Sequence, residues 1–207
     1  MKKKLRLLSS TIAIAMLAAC TGVIPDAPPM TTVPADVGQL PAPASPPAPA
    51  QRLIDRFEGM SETNGDVLFL FGQVLDTHGD AVPNAQVEIW QTDAGGVYDH
   101  PGDPGTANRN RSFQFFGSTP VDAAGWYAFR TIVPGRYEPR PRHIHYKVKQ
   151  EGETLLTSQF YCRDDVADVE GEAMFRGVGD GGELWLLQLV QGHTGLLANG
   201  QIVVDPG

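Results

Sequence analysis

From Asp66 onward the chain runs in short stretches of strand-forming residues, each cut by a turn built on glycine or proline. "DVLFLFGQVLD" (66–76) ends at "HGDAVP", and "AQVEIWQTD" (85–93) alternates, with Val87 and Ile89 on one side and Gln86, Glu88 and Trp90 on the other. "GWYAFRTI" (125–132) lies between "DAAG" and "VPG"; "HIHYKVK" and "TLLTSQFYC" are joined by "QEGE"; "ELWLLQLV" and "GQIVV" come last. Helical periodicity is nearly absent, and only 164–176 could form a short helix. Strands separated by tight turns pair as antiparallel neighbours and must bury one face against a second layer. The expected fold is therefore all-β, an antiparallel β-sandwich. The insert 92–113 is too long for a hairpin turn, so it is expected to carry function.

The first fifty residues are of a different kind. Three lysines at 2–4 and Arg6 precede "LLSSTIAIAMLAA", an apolar run too short to span a bilayer, which is the layout of a secretory signal peptide over 1–19. "LAAC" (17–20) resembles the lipobox of bacterial lipoproteins, and the resemblance implies cleavage before Cys20 and acylation of that cysteine. The protein is then expected in the cell envelope, held by a lipid anchor, with Thr21 favouring the outer membrane. Residues 20–52 are proline- and alanine-rich with almost no large apolar side chain, the composition of an extended tether. In polyproline geometry thirty such residues reach roughly 90 Å. Residues 53–207 are then one domain, long enough for a single core.

Charge narrows the partners. The chain has 16 Lys and Arg against 24 Asp and Glu, and all four charges within 1–19 are positive, so the expected mature chain carries −12. Such a surface repels nucleic acid and anionic lipid, which excludes both as partners and leaves membrane attachment to the acyl chains. Besides Cys20 there is only Cys162, so no disulfide can staple the domain.

"RYEPRPRHIHYKV" (136–148) concentrates the candidate chemistry. Alternation along a strand sends His143 and His145 to one face and Ile144 to the core, with the imidazoles about 7 Å apart along the chain. Two imidazoles so placed can grip one ion, or can each satisfy a hydrogen bond in solvent. On these residues alone both readings stand.

The surrounding blocks decide between them. "GQVLDTHGDAVPNAQVEIWQTDAGGVYDHPGD", "DAAGWYAFRTIVPGRY", "RPRHIH" and "SQFY" occur in the order and near the spacing of the intradiol ring-cleavage dioxygenases, and residues 66–162 resemble that family. The resemblance implies a non-haem Fe(III) cofactor held by Tyr98, Tyr137, His143 and His145. It also implies a catechol-type substrate and O2, with ring opening between the two hydroxylated carbons to a cis,cis-muconate-type diacid. By motif, Tyr137 is the axial ligand, released on substrate binding to accept a proton. Arg140 matches an arginine beside the reacting carbon, and Gln159 matches a residue that orders bound oxygen. The donor chemistry is consistent: phenolate is a hard anionic oxygen suited to Fe(III), imidazole is accepted by iron, and tyrosine loses its proton near neutrality only beside a strongly charged ion. Arg142 takes no role; His78, His100 and His193 read as solvated loop residues; Trp90, Trp126 and Trp185 read as core or rim aromatics. The rival reading is a transthyretin-like or carboxypeptidase-regulatory-like sandwich acting as an anchored binding module. It shares the opening between Val74 and Val87 but gives no reason for all four ligands.

Overall fold

The computed structural model describes residues 46–55, 64–176 and 179–206. The expected signal peptide, Cys20 and most of the expected tether lie outside them. Among the described residues the strands, in chain order, are β1 (Val67–Leu75), β2 (Ala85–Trp90), β3 (Phe116–Pro120), β4 (Trp126–Ile132), β5 (His143–Gln150), β6 (Glu153–Cys162), β7 (Leu186–Leu187), β8 (Val190–Gln191), β9 (Leu196–Asn199) and β10 (Ile202–Val203). They form two sheets. In the first, β1 is central: β4 runs antiparallel along one side, β9 and then β10 lie along the other, and β8 pairs with β9. In the second, the order is β3-β2-β5-β6-β7.

Alternation puts the core between these sheets. Leu68, Leu70 and Val74 of β1 and Tyr127 and Phe129 of β4 meet Val87 and Ile89 of β2, Ile144, Tyr146 and Val148 of β5, and Phe160 of β6. The inward and outward sets on β2 and β5 are those that period-2 alternation predicts. The β5–β6 turn is set by Glu151 and Gly152, both with positive φ, as a tight hairpin needs.

The sandwich holds, but it is mixed rather than wholly antiparallel. β1 pairs parallel with β9 and β10, and β6 pairs parallel with β7. A tight turn forces its two strands to run antiparallel, and none of these pairs is joined by one. β9 and β10 return to β1 from the far end of the chain, and β7 follows β6 only after the connection 163–185. The helix expected within 164–176 is divided into α2 (Val166–Val169) and α3 (Ala173–Arg176), either side of Gly171.

Both sheets are covered on their outer faces. A helix of seven residues, Ala48–Ile54, starts after Pro47 and lays Ala50 and Ile54 against Val67, Phe69, Phe71 and Ala128 on the outside of β1 and β4. Numbered in chain order it is α1. The stretch expected to be tether thus contains a docked helix at its end, because Ala50 and Ile54 are one helical turn apart and share a face. Burying Ile54 contributes about 2 kcal/mol. On the other side, α2, α3 and Trp185 pack over Tyr161 of β6, with Val169, Phe175 and Leu184 filling the contact. The histidine face of β5 lies in this outer layer.

Candidate metal centre and active site

β5 delivers the histidines as a pair. His143 and His145 point away from the core while Ile144 is fully buried, and their rings sit 4.8 Å apart, nearly perpendicular. Trp90, the cross-strand neighbour of His145 on β2, stacks flat on its ring at 4.9 Å and 4°. Trp90 is thus more than a rim aromatic, since it fixes the plane of one imidazole.

The partners of His143 define its tautomer. Nδ1 lies 2.8 Å from the carbonyl of Pro141, an acceptor only, so Nδ1 donates. Nε2 lies 3.1 Å from Nη1 of Arg140, a donor only, so Nε2 presents its lone pair. The Tyr98 hydroxyl is 3.2 Å from the same nitrogen. Burial, with the Arg140 charge second, pushes His143 down to about 4. Burial, then His143 and Arg140, holds His145 well below the usual imidazole range. Both are neutral at neutral pH, which is the ligating form.

The tyrosines come from two loops that are locked together. Asp93, just past β2, is buried and accepts from the amides of Gly95, Val97 and Asn110 at 2.7–3.1 Å. Asp103 accepts from the Tyr98 amide at 3.0 Å, and Thr106 Oγ1 donates to the Tyr98 carbonyl at 2.7 Å. Against this loop lies 133–140: Gly135 N donates to Asp93 O at 2.8 Å, and Thr92 Oγ1 donates to Gly135 O at 2.9 Å. The contact is backbone on backbone. A Cβ at Gly96, where φ is +79°, would fall 2.1 Å from the Arg136 carbonyl, and one at Gly135 would fall 2.2 Å from the Gly96 nitrogen. Those two glycines let Tyr98 and Tyr137 meet edge to face at 5.1 Å, with the Tyr98 ring 6.3 Å from His145.

Arg140 leaves this cluster through a hydrogen bond of its amide to the Tyr137 carbonyl at 2.8 Å. Its guanidinium reaches Nε2 of His143, and its Nη2 donates to Oε1 of Gln159 at 3.0 Å. Gln159 is fully buried, with its amide donating to the Tyr161 hydroxyl. The Arg140 side chain is only 15% exposed and stands among the candidate ligands. Arg140 is also gripped by Glu172 through both carboxylate oxygens, Nε to Oε1 at 3.2 Å and Nη2 to Oε2 at 3.1 Å.

Sequence reasoning missed Glu172, Tyr161 and the stack of Trp90. Tyr161 was within reach, because it lies two residues after Gln159 on the same face of β6. Nothing in the sequence marks Glu172, which arrives from the connection after β6. Arg142 proves structural: it holds Asp165 through Nε at 2.9 Å and Nη2 at 3.0 Å. His78, His100 and His193 are exposed, Trp185 is buried, and Trp126 packs beside α1. Cys162 is free and buried, which pushes its thiol up to about 12.

No three His, Cys, Asp or Glu side chains cluster as a metal site among the described residues. An ion in this cluster therefore needs the tyrosines as well as the histidines. The donor set fits Fe(III): two phenol oxygens beside two neutral imidazoles, one with its far nitrogen pinned to a carbonyl as in histidines that ligate metals.

Fold and site together define a class: a β-sandwich with a mixed phenol–imidazole donor site on the outer face of one sheet, roofed by loops. The dioxygenase family model matches residues 44–171. The chain is 34% identical to catechol 1,2-dioxygenase of Acinetobacter baylyi over 143 residues, 58% of this chain and 45% of that protein. It is 37% identical to the protocatechuate 3,4-dioxygenase beta chain of Burkholderia cepacia over 112 residues, 50% of this chain and 48% of that one. Among solved structures, the dioxygenase domain of a dioxygenase–carbohydrate-binding fusion from Streptomyces sp. SirexAA-E superposes with a TM-score of 0.53 at 29% identity, covering 72% of this chain and 85% of that domain. Catechol 1,2-dioxygenase from Acinetobacter sp. ADP1 gives 0.51 at 26% identity, over 72% of this chain and 55% of its own. The chain spans about half the length of the curated relatives it matches. It belongs to the intradiol ring-cleavage dioxygenase family.

Proposed function

We propose that this chain is an iron(III)-dependent dioxygenase that opens a catechol-type ring with O2, adding both oxygen atoms to give a cis,cis-muconate-type diacid. The observation that carries the reading is the convergence of Tyr98, Tyr137, His143 and His145, with the Tyr98 hydroxyl 3.2 Å from Nε2 of His143. Ferric iron held by these four side chains would supply Lewis acidity and a path for the ring's electrons to O2. The chain's own groups do the rest. Tyr137, as a phenolate, would take a hydroxyl proton from the substrate. Arg140, fixed by Glu172 and Gln159, places a positive charge beside the site, where it stabilises carbanionic character in the ring. Gln159, buried and held through Tyr161, keeps its carbonyl oxygen on Arg140 and sets the inner wall. Trp90 holds the His145 ring in one plane. A binding module would leave this convergence without a use.

The reading is tested on protein made in iron-replete medium. Stoichiometric iron by elemental analysis, a visible tyrosinate-to-iron absorption band, and oxygen uptake with catechol, protocatechuate or hydroxyquinol are expected. A colourless, iron-free protein would refute the site.

The same proposal places the enzyme at the cell envelope through an acylated Cys20. It rests on the "LAAC" pattern and the signal-peptide layout of 1–19. Among the described residues no helix is long and apolar enough to cross a membrane. Cys20→Ser is expected to shift the protein out of the membrane fraction as unprocessed precursor or soluble protein, with its visible band intact. Retention on salt-washed membranes would count against acylation.

A further inference from the structure

Glu172 fixes Arg140 in the reaction just described, but its own negative charge has no part there. It comes from the connection that roofs the site, it is only 17% exposed, and both its oxygens are on the Arg140 guanidinium. The donors of Arg140 are correspondingly committed. Nε–H and one Nη2–H go to Glu172, the second Nη2–H goes to Gln159, and one Nη1–H goes towards His143. Glu172 and Gln159 hold three of the five N–H donors of the guanidinium, both Nη2 hydrogens among them, so no edge of Arg140 offers a second carboxylate two parallel donors. Three arginines of the surrounding loops are paired as well. Arg136 pairs with Asp168 at 2.7 Å, Arg142 grips Asp165, and Arg109 pairs with Asp99 at 2.8 Å. Lys147, two residues beyond His145 on the same face, lies over the Trp90 ring at 6.0 Å.

We infer that Glu172 is a specificity-determining and positioning residue: it holds Arg140 for the ring and, by its charge, makes the site select uncharged catechols over catechol carboxylates. The inference rests on the ring-cleavage reading above. A ring with only hydroxyl substituents brings no charge beyond its two oxygens. A ring that also bears a carboxylate brings an anion towards a fixed carboxylate whose counter-charge is already matched. In a partly desolvated site that repulsion is weakly screened, so the discrimination should be about tenfold or more.

The test uses the iron-loaded full chain. Dissociation constants for catechol and for 3,4-dihydroxybenzoate are measured by calorimetry without oxygen, then kcat/KM for both by oxygen uptake, with melting temperature and iron content as controls. The parent should bind catechol at least about tenfold more tightly than the carboxylate. Glu172→Gln keeps the shape and removes the charge, so the ratio should fall towards one, chiefly through tighter carboxylate binding. Glu172→Asp keeps the charge and should keep the discrimination even if Arg140 is held less well. A purely structural salt bridge would lower stability in both variants and leave the ratio alone, which would overturn the inference. So would a parent that prefers the carboxylate or binds both alike. A parent that binds neither ligand removes the ring-cleavage reading, and the filter with it.

Discussion

His145→Ala is expected to empty the iron site and bleach the protein. His145 is one of two imidazoles in the cluster, and its ring is held by Trp90 on one side and meets His143 on the other. Disturbing even the groups that orient a metal's ligands lowers affinity by about 10–100-fold, and deleting a ligand should cost at least that. The fold should survive, because the core side of β5 is made by Ile144, Tyr146 and Val148, which are untouched. Iron per chain and the visible band are therefore expected to collapse while the melting transition stays cooperative. A variant that keeps its iron and its colour would show that His145 is not a ligand.

Arg140→Ala separates catalysis from metal binding. None of the four proposed ligands is removed, so iron and colour should largely remain. One preorganised charge acting on the reacting ring is typically worth about 10²–10³ in rate, and kcat should fall by that order. The substitution also strands Glu172, a half-buried carboxylate, so some loss of stability is expected and must be measured separately. Arg140→Lys resolves the two effects. It restores a positive charge but not the fork that holds Glu172 and Gln159 together, so it should recover stability more than rate. Turnover of Arg140→Ala equal to the parent on the best substrate would end the catalytic assignment.

What the sequence revealed and what it hid follow physical lines. Alternation is local, so the faces of β2 and β5 could be read directly, including which side of β5 carries the histidines. The tyrosines could be reached only through the family's motifs, since nothing in "GGVY" or "GRY" shows that two glycine backbones will touch. β3 was missed because "FGSTP" carries a glycine and a proline and reads as a turn, yet an edge strand tolerates both. The parallel placement of β7, β9 and β10 depends on long returns that no short window contains. Glu172 was hidden for the same reason: a single carboxylate in a turn-rich connection becomes informative only once Arg140 is found within 3.2 Å of it.

The helix α1 and the histidine face lie on opposite outer sides of the sandwich, with both sheets and the Leu68–Phe160 core between them. Whatever precedes Ala48 therefore joins the domain behind the active site. A mechanical pull on that end is taken up where Ile54 and Ala50 seat on Phe69 and Ala128, and two hydrogen-bonded sheets stand between that load and the ligand geometry. A load applied through Ala48 thus enters on the face of the sandwich opposite the histidines.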